Sequence, residues 1–357
     1  MAKDFKDFIF ANHRLSEYGD FVSVDLNGGD SEILLGLERD MEMGNTNSYR
    51  LEPNYYGDKW SAPLAFELHI IKNPCKYSNQ KELMFSKNEL RQITRWLTSP
   101  HYPSWIEFEY TSDKNNEEII YYKGWFNNIE TFTVGGGIYG LKLYFTCSTS
   151  FGYTDYKNYE ILGIAENTVN QNIINDSDEL ENYCYPQIKI VPNSTGQIFM
   201  CNLSDCNILE SALLENASLT TIAENYAMKN WYEIKYTGVD DSPVYLCNEN
   251  AVQFYLVDKY GNDIKCTVFY WADTGQYYLV EGGFIYIDAK ESLEINIDCQ
   301  KLLFQDSIGR MVTYDELGIA DVDHMYWMRL LNGNNSILVY GDAAITFKFR
   351  ESRKVGE

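Results

Sequence analysis

Four histidines, at positions 13, 69, 101 and 324, are the side chains best suited to proton transfer, and they lie far apart in the sequence. A Ser/His/Asp triad assembles from distant positions, so spacing alone leaves a hydrolase open. Nothing favours one: the sequence has no G-x-S-x-G elbow, no H-E-x-x-H and no P-loop. Glu107 and Glu109 stand at i, i+2 on one face of a candidate strand, as a glycosidase pair could. With 52 acidic residues in the chain such pairs arise by chance, and a solvated strand face is the simpler reading. Gly135, Gly137 and Gly140 spell G-x-G-x-x-G. A dinucleotide site needs a helix behind those glycines, so that the pyrophosphate meets its N-terminus. Residues 141–145 read instead as a strand, and the glycines as a hairpin turn. Asp321, Asp323 and His324 make one compact acidic loop, which lacks the oxygens, the sixth-position glycine and the closing glutamate of an EF-hand. The eight cysteines (75, 147, 184, 201, 206, 247, 266 and 299) include no C-x-x-C and no neighbouring histidine at zinc-ligand spacing. They are read as buried thiols. The expected inventory is no catalytic residue, no metal and no cofactor.

Aromatic residues are the richer resource. They make up 15% of the chain, with 29 tyrosines, and favour strands because rings pack well on a pleated surface. Trp231, Tyr270, Trp271 and Tyr277 could form a platform on which a sugar stacks. Most of these aromatics fall at alternating strand positions, where core packing is the default. The net charge is −23 and unevenly spread. Residues 1–155 carry 15 Lys and Arg against 22 Asp and Glu, a net −7, and the remainder 14 against 30, a net −16. Such a chain gains nothing from counterion release on DNA or RNA, which disfavours nucleic-acid binding. No apolar run is long enough for a membrane helix. The start, Met1 to Asp7, has no apolar segment behind its charges, which reads as the absence of a secretory leader.

The clearest element lies in residues 86–98. Ser86 suits an N-cap and Glu89 completes a capping box. Leu90, Ile93, Trp96 and Leu97 form one apolar stripe, while Lys87, Arg91 and Arg95 take the polar side. Pro100 ends the helix. Three aromatic strands follow, at 105–110, 119–126 and 129–146, the last interrupted by the glycine turn. Earlier strands are expected at 5–10, 21–26 and 64–72, the last with His69 on its polar face. Residues 154–181 are polar, with one weak strand at 159–164, and read as an interdomain connection. Beyond them strand candidates recur at sandwich spacing, among them 231–236, 251–256, 263–271, 277–287, 336–340 and 344–349. Residues 216–225 fit a helical turn or a loop equally well. The expected layout is mainly β. It comprises an N-terminal domain (1–155), a linker (156–182) and a C-terminal β-sandwich domain (183–357).

The order of motifs resembles one family. Phe8-Ile9-Phe10, then Ser16-Glu17-Tyr18-Gly19, F-x-L-x-I-I-K at 66–72, N-E-L-R-Q-I-T-R-W-L at 88–97, Y-Y-K-G-W-F-N-N-I-E at 121–130 and L-K-L-Y-F-T-C-S-T-S-F-G-Y at 141–153 look like the N-terminal domain of the distal tail proteins (Dit) of long non-contractile tailed phages. W-M-R-L-L-N-G-N-N-S-I-L-V-Y-G at 327–341 and I-T-F-K-F-R at 345–350 are similar to the closing hairpin of that family's galectin-like second domain. The likeness is weakest over 205–290.

This resemblance implies an N-terminal β-sandwich or barrel-like domain with one helix and an extended arm, followed by a galectin-like β-sandwich. It also implies a non-enzymatic part of the virion tail tip, assembled in the host cytoplasm. Its partners would be five further copies in a hexameric ring, the tail-tube protein, a tail-associated lysin or tail-tip fibre protein, and in some phages a receptor-binding protein. DNA would only pass through the channel, whose lining is expected to be negative or neutral. The arm would correspond to residues 31–49, and Ile33, Leu34, Leu35, Leu37, Met41 and Met43 are the expected ring-interface residues. Two further readings stay open: a carbohydrate-binding module for host-surface glycans, and the equivalent hub of a contractile tail or tail-like bacteriocin.

Overall fold

The computed structural model describes residues 5–26, 39–44, 55–60, 63–77, 79–110, 118–165, 167–180, 183–213, 218–247, 249–319 and 325–354. The chain divides into two units, one formed by Met1–Asp155 with Ser352–Glu357 and the other by Tyr156–Glu351.

The main sheet of the first unit is antiparallel. Its order is His13–Arg14, Phe5–Phe10, Ser104–Tyr110, Tyr121–Val134, Gly137–Cys147, Ala65–Lys72 and Phe21–Ser23. Gly152–Tyr153 adds a short pairing with Ser352–Arg353, and Arg353 grips Glu118 through two hydrogen bonds of 2.8 and 3.2 Å. Strands in a sheet lie about 4.8 Å apart, so strands three steps apart in a flat sheet would be about 14 Å apart. Yet the rings of Phe66 and Phe108, on strands three steps apart, meet at 6.1 Å. The sheet is therefore strongly curled, and Phe5–Phe10 comes against Phe21–Ser23 from its far end.

Aromatic side chains fill the hollow. Phe8, Phe10, Phe126 and Phe145 pack edge-on or tilted at 5.0–5.9 Å. Helix α1 (Lys87–Thr98) closes it, presenting buried Ile93, Trp96 and Leu97. The capping box forms as expected: Ser86 Oγ accepts from Glu89 N–H, and Glu89 Oε2 accepts from Ser86 N–H at 2.7 Å. Trp96 stacks between Phe8 and Tyr18 and donates its indole N–H to Phe10 O at 3.0 Å.

The second unit is layered. A five-stranded sheet (Lys157–Leu162, Ala343–Phe349, Gln187–Pro192, Ile295–Asp298, Leu303–Gln305) faces a four-stranded one (Val169–Asn175, Gly333–Tyr340, Gly196–Asn202, Phe284–Ala289). Alternate residues of both, such as Ile188, Ile190, Ile345 and Phe347 against Ile198, Met200, Ile285 and Ile337, share one aliphatic core. Two of these strands, Lys157–Leu162 and Val169–Asn175, lie within the stretch read from sequence as a linker. The second pairs along its whole length with Gly333–Tyr340. Its outward Asn and Gln residues hid it.

The far face of the four-stranded sheet carries Phe199, Cys201, Phe284, Leu338 and Tyr340, and these pack against a third sheet. That sheet runs Asn207–Leu213, Gln276–Glu281, Asp263–Trp271, Ala251–Val257 and Glu233–Tyr236, with Val244–Leu246 also on Ala251–Val257. Helix α2 (Leu219–Asn230) covers its other side through Leu219, Ile222, Ala223 and Ala227. Two sequence expectations change here. The strand expected over 277–287 is two strands in different sheets, because Gly282 and Gly283 both take positive φ (69° and 72°) and turn the chain between layers. The strand expected from Trp231 begins at Glu233, and Trp231 is instead the left-handed C-cap of α2, with φ 61°.

Candidate functional site

Several of the described residues suited to chemistry are occupied in holding the fold. His69 is 4% exposed. Its Nδ1 accepts from Leu26 N–H at 3.1 Å, which leaves the Nε2 proton to donate to Glu67 Oε1 at 2.7 Å. The sequence placed this histidine on a polar strand face. The chain from Val24 to Leu26 runs over that strand, with Leu26 N–H reaching the ring, so alternation along one strand misjudged its burial. Lys72, 5% exposed, is enclosed in the same way: it donates to Glu82 O, Met84 O and Glu89 Oε1 at 3.0, 3.1 and 2.7 Å. Burial works against charge on Glu89, but Lys72 and the Ser86 N–H outweigh it and hold the carboxyl below its ordinary value. His13 pairs with Glu17 at 3.0 Å on the surface, and His101 is exposed. Glu109 of the carboxylate pair binds Arg14, and this hydrogen bond raises the guanidinium above its usual value. Asp321, Asp323 and His324 lie outside the described residues. Among the described residues no group of three or more His, Cys, Asp or Glu side chains could hold a metal ion.

The eight thiols are all free. Burial pushes those of Cys147, Cys247 and Cys266 up to about 12. Cys75 departs from the buried-thiol reading: it sits exposed in the loop after Ala65–Lys72.

The four aromatic residues considered for a sugar platform are divided by strand geometry. Tyr270 and Tyr277 are cross-strand neighbours with rings 5.4 Å apart, and Tyr277 packs on the α2 side of the third sheet. Trp271 points to the opposite face, where it joins Tyr278 against the sandwich. Trp231 is 89% exposed at the end of α2. The four do not share one plane.

Projecting two-stranded ribbons make the most distinctive surface of the first unit. Arg39–Met43 pairs with Tyr55–Trp60 and, among the described strands, with nothing else. This ribbon exposes Met41 by 62%, Met43 by 52% and Tyr56 by 68%. Four of the expected interface residues, Ile33, Leu34, Leu35 and Leu37, lie outside the described residues.

The second ribbon is the hairpin read from the glycines, but its overhang escaped the sequence reading. Tyr121–Val134 and Gly137–Cys147 outrun their neighbours, since pairing with Ala65–Lys72 stops at Gly140 and pairing with Ser104–Tyr110 at Gly124. Residues 125–134 thus present an open edge among the described strands, with Phe132 and Val134 exposed. Gly135 and Gly136 close the ribbon with φ of 58° and 83°, beyond the last pairs Thr133–Ile138 and Val134–Gly137. This is a two-residue hairpin turn of the kind that needs positive φ at both positions, so the G-x-G-x-x-G letters carry no phosphate site. The signal available in sequence was length: fourteen strand residues have more reach than the adjacent seven can pair. At the ribbon's base Val24, Leu26, Ile71, Leu83, Phe132 and Tyr139 line an apolar groove of about 300 Å³.

Known proteins give this geometry a context. Residues 3–149 match a family described as a phage tail protein N-terminal domain, and residues 151–241 match one described as a phage tail C-terminal domain. No curated protein sequence matches the chain. Among solved structures, the crystal structure of the Dit protein of phage SPP1 is similar over 97% of this chain and 98% of its own, at 11% identity and a TM-score of 0.50. That protein is described as a paradigm of the hub adsorption apparatus in phages infecting Gram-positive bacteria. A chain of the phage P2 baseplate, solved in its activated conformation with Ca, aligns over 98% of this chain and 99% of its own, at 10% identity and a TM-score of 0.44.

Proposed function

We propose that this chain, which carries two phage tail protein domains and the fold of the SPP1 Dit protein, is a Dit-like structural hub subunit whose six copies close a ring at the tail tip. The ring joins the last tail-tube ring to the tail-tip protein and to any receptor-binding protein carried at the periphery. The observation that carries this reading is the tandem match of two tail-protein domains on a chain with the Dit fold along nearly its whole length.

The ribbons give the ring a physical basis. A cyclic assembly of identical subunits needs a heterologous interface, in which a projection from one copy meets a different surface on the next. Met41, Met43 and Tyr56 on one ribbon, and Phe132 and Val134 beside the open edge of the other, expose apolar side chains where a monomer gains nothing from them. We read Met41 and Met43 as interface residues in this sense, and the Ile33–Leu37 stretch as part of the same arm. We read the role as structural rather than enzymatic, in keeping with the engagement of His13, His69, Lys72 and Glu109 in local pairs. The glycan-binding alternative is weaker, because Trp271 stands on the opposite sheet face from Tyr270 and Tyr277.

Native mass spectrometry and negative-stain imaging test the proposal. The expected species is a ring with six times the 41.4 kDa chain mass. Met41→Glu with Met43→Glu should abolish rings while leaving monomer melting unchanged, because both side chains are exposed. A protein that stays monomeric at high concentration, with no rings in tails that contain it, would remove the hub reading.

A further inference from the structure

The third sheet of the second unit is an excursion from the sandwich. The chain leaves at the end of Gly196–Asn202 and returns at Phe284–Ala289, and these two strands are direct neighbours. Departure and return run side by side: Cys201 stands opposite Phe284, and Asn202 N–H donates to Gly283 O at 2.7 Å. About eighty residues of sheet and helix therefore hang on one narrow neck.

Two cysteines sit in that neck. Cys201 is fully buried on the sandwich strand. Cys206 immediately precedes the first strand of the excursion. Its N–H donates to Asn202 O at 3.0 Å, closing one helical turn that lays its thiol against that of Cys201. Both cysteines belong to one apolar cluster, and Cys206 Sγ donates to Leu203 O at 3.5 Å. Gly283 passes directly beneath: a Cβ there would lie 2.6 Å from Cys206 Cβ and 2.9 Å from Cys206 N, so the returning strand has no room for a side chain. Cys206 is half-buried and reachable, whereas Cys201 is not. The neighbouring Cys201 thiol holds Cys206 below its ordinary value, towards the thiolate that attacks a disulfide.

We propose that Cys201 and Cys206 form an oxidisable dithiol that a small-molecule disulfide converts into an intramolecular disulfide across the neck of the inserted sheet. With oxidised glutathione, the Cys206 thiolate attacks one sulfur, forming a mixed disulfide and releasing one glutathione thiolate. Cys201 then loses its proton, attacks Cys206 Sγ and expels the second glutathione. Two protein thiols become one disulfide, and one glutathione disulfide becomes two thiols. The turn that folds Cys206 back on Asn202 brings it into the cluster of Cys201, from which the sulfurs close to the S–S bond length of about 2.05 Å. The bridge ties the first turn of the excursion to the sandwich strand it leaves, and it does not depend on the tail reading. Cys247 lies in the same apolar cluster and is the competing partner.

The test is incubation of the full-length protein with oxidised glutathione at mildly alkaline pH, followed by intact mass and peptide mapping. The expected result is a Cys201–Cys206 cross-linked peptide, two hydrogens lost apart from any glutathionyl adduct on exposed Cys75, and a fall of two among the other seven titratable thiols after denaturation. Cys201→Ser should stop at the mixed disulfide and retain one glutathionyl group on Cys206. Cys206→Ser should show neither product. Cys201 and Cys206 both free after prolonged incubation, or a bridge between Cys201 and Cys247, would overturn the proposal. The wild-type map decides the matter even if a variant fails to fold.

Discussion

At the scale of single residues, the most consequential side chain is one the sequence offered no reason to single out. Lys72 buries an ammonium beneath α1 and satisfies it with two carbonyls and Glu89, while Tyr77 and Phe85 rings lie 5.3 and 5.6 Å from it. Removing one partner of such a pair strands the rest without a donor. Lys72→Met is expected to destabilise the first unit by about 2–3 kcal/mol, measured by urea unfolding. An unchanged midpoint would show that the pair contributes nothing. The carboxyl of Glu89 titrates lower when folded than its ordinary 4.5. Its contribution is therefore complete above that value and is lost as pH falls through the lower folded one. Lys72→Met should flatten this acid limb of the stability profile. His69 teaches the same lesson as Lys72. Strand alternation said which way it points, but only the covering segments decided whether water reaches it.

At the scale of elements, legibility followed locality. The helix α1 could be read because its cap, its stripe and its stop all lie within fifteen residues. The helix α2 could not, because its buried face relies on Ala223 and Ala227, which give little hydrophobic contrast, and it contains Thr220, Thr221 and Asn225, which are poor helix formers. Long strands showed where they are but not where their neighbours end, so the overhang at 125–134 stayed hidden. Close packing within the curled sheet is testable at Gly124, whose added Cβ would fall 2.1 Å from Thr146 O and 2.8 Å from the Cys147 Cα. Both are backbone atoms and cannot swing away. Gly124→Ala should cost about 2–3 kcal/mol in chemical denaturation. Gly136→Ala, where nothing lies within 4 Å and only φ resists, should cost about 1 kcal/mol. If the two variants proved equally stable, the close approach at Gly124 would be wrong.

At the scale of the whole molecule, charge governs assembly. Copies with a net −23 repel one another across any apolar contact, and salt screens that repulsion over about 10 Å at 0.1 M. Ring formation on the proposed hub reading should therefore strengthen between low and moderate ionic strength. Light scattering coupled to gel filtration would record this as a shift towards the larger species. Rings that dissociate as salt rises would mean instead that ion pairs hold the interface. The same acidity suits a channel through which DNA passes without adhering, and a continuous basic lining in an imaged ring would contradict that.

Local and cumulative properties were determined by the sequence by itself: a mainly β chain, the one well-capped helix, a hairpin in place of a nucleotide loop, and the family likeness carried by motif order. Each depends on residues close in the chain or on totals, and neither needs the fold to be known. The tertiary structure alone decided which faces are covered and which strands become neighbours. It buried His69 and Lys72, split the aromatic platform between two faces, built residues 157–175 into the sandwich, and brought Cys201 against Cys206 at a neck. Burial and pairing depend on segments distant in sequence, and a strand's periodicity does not encode what will pack upon it.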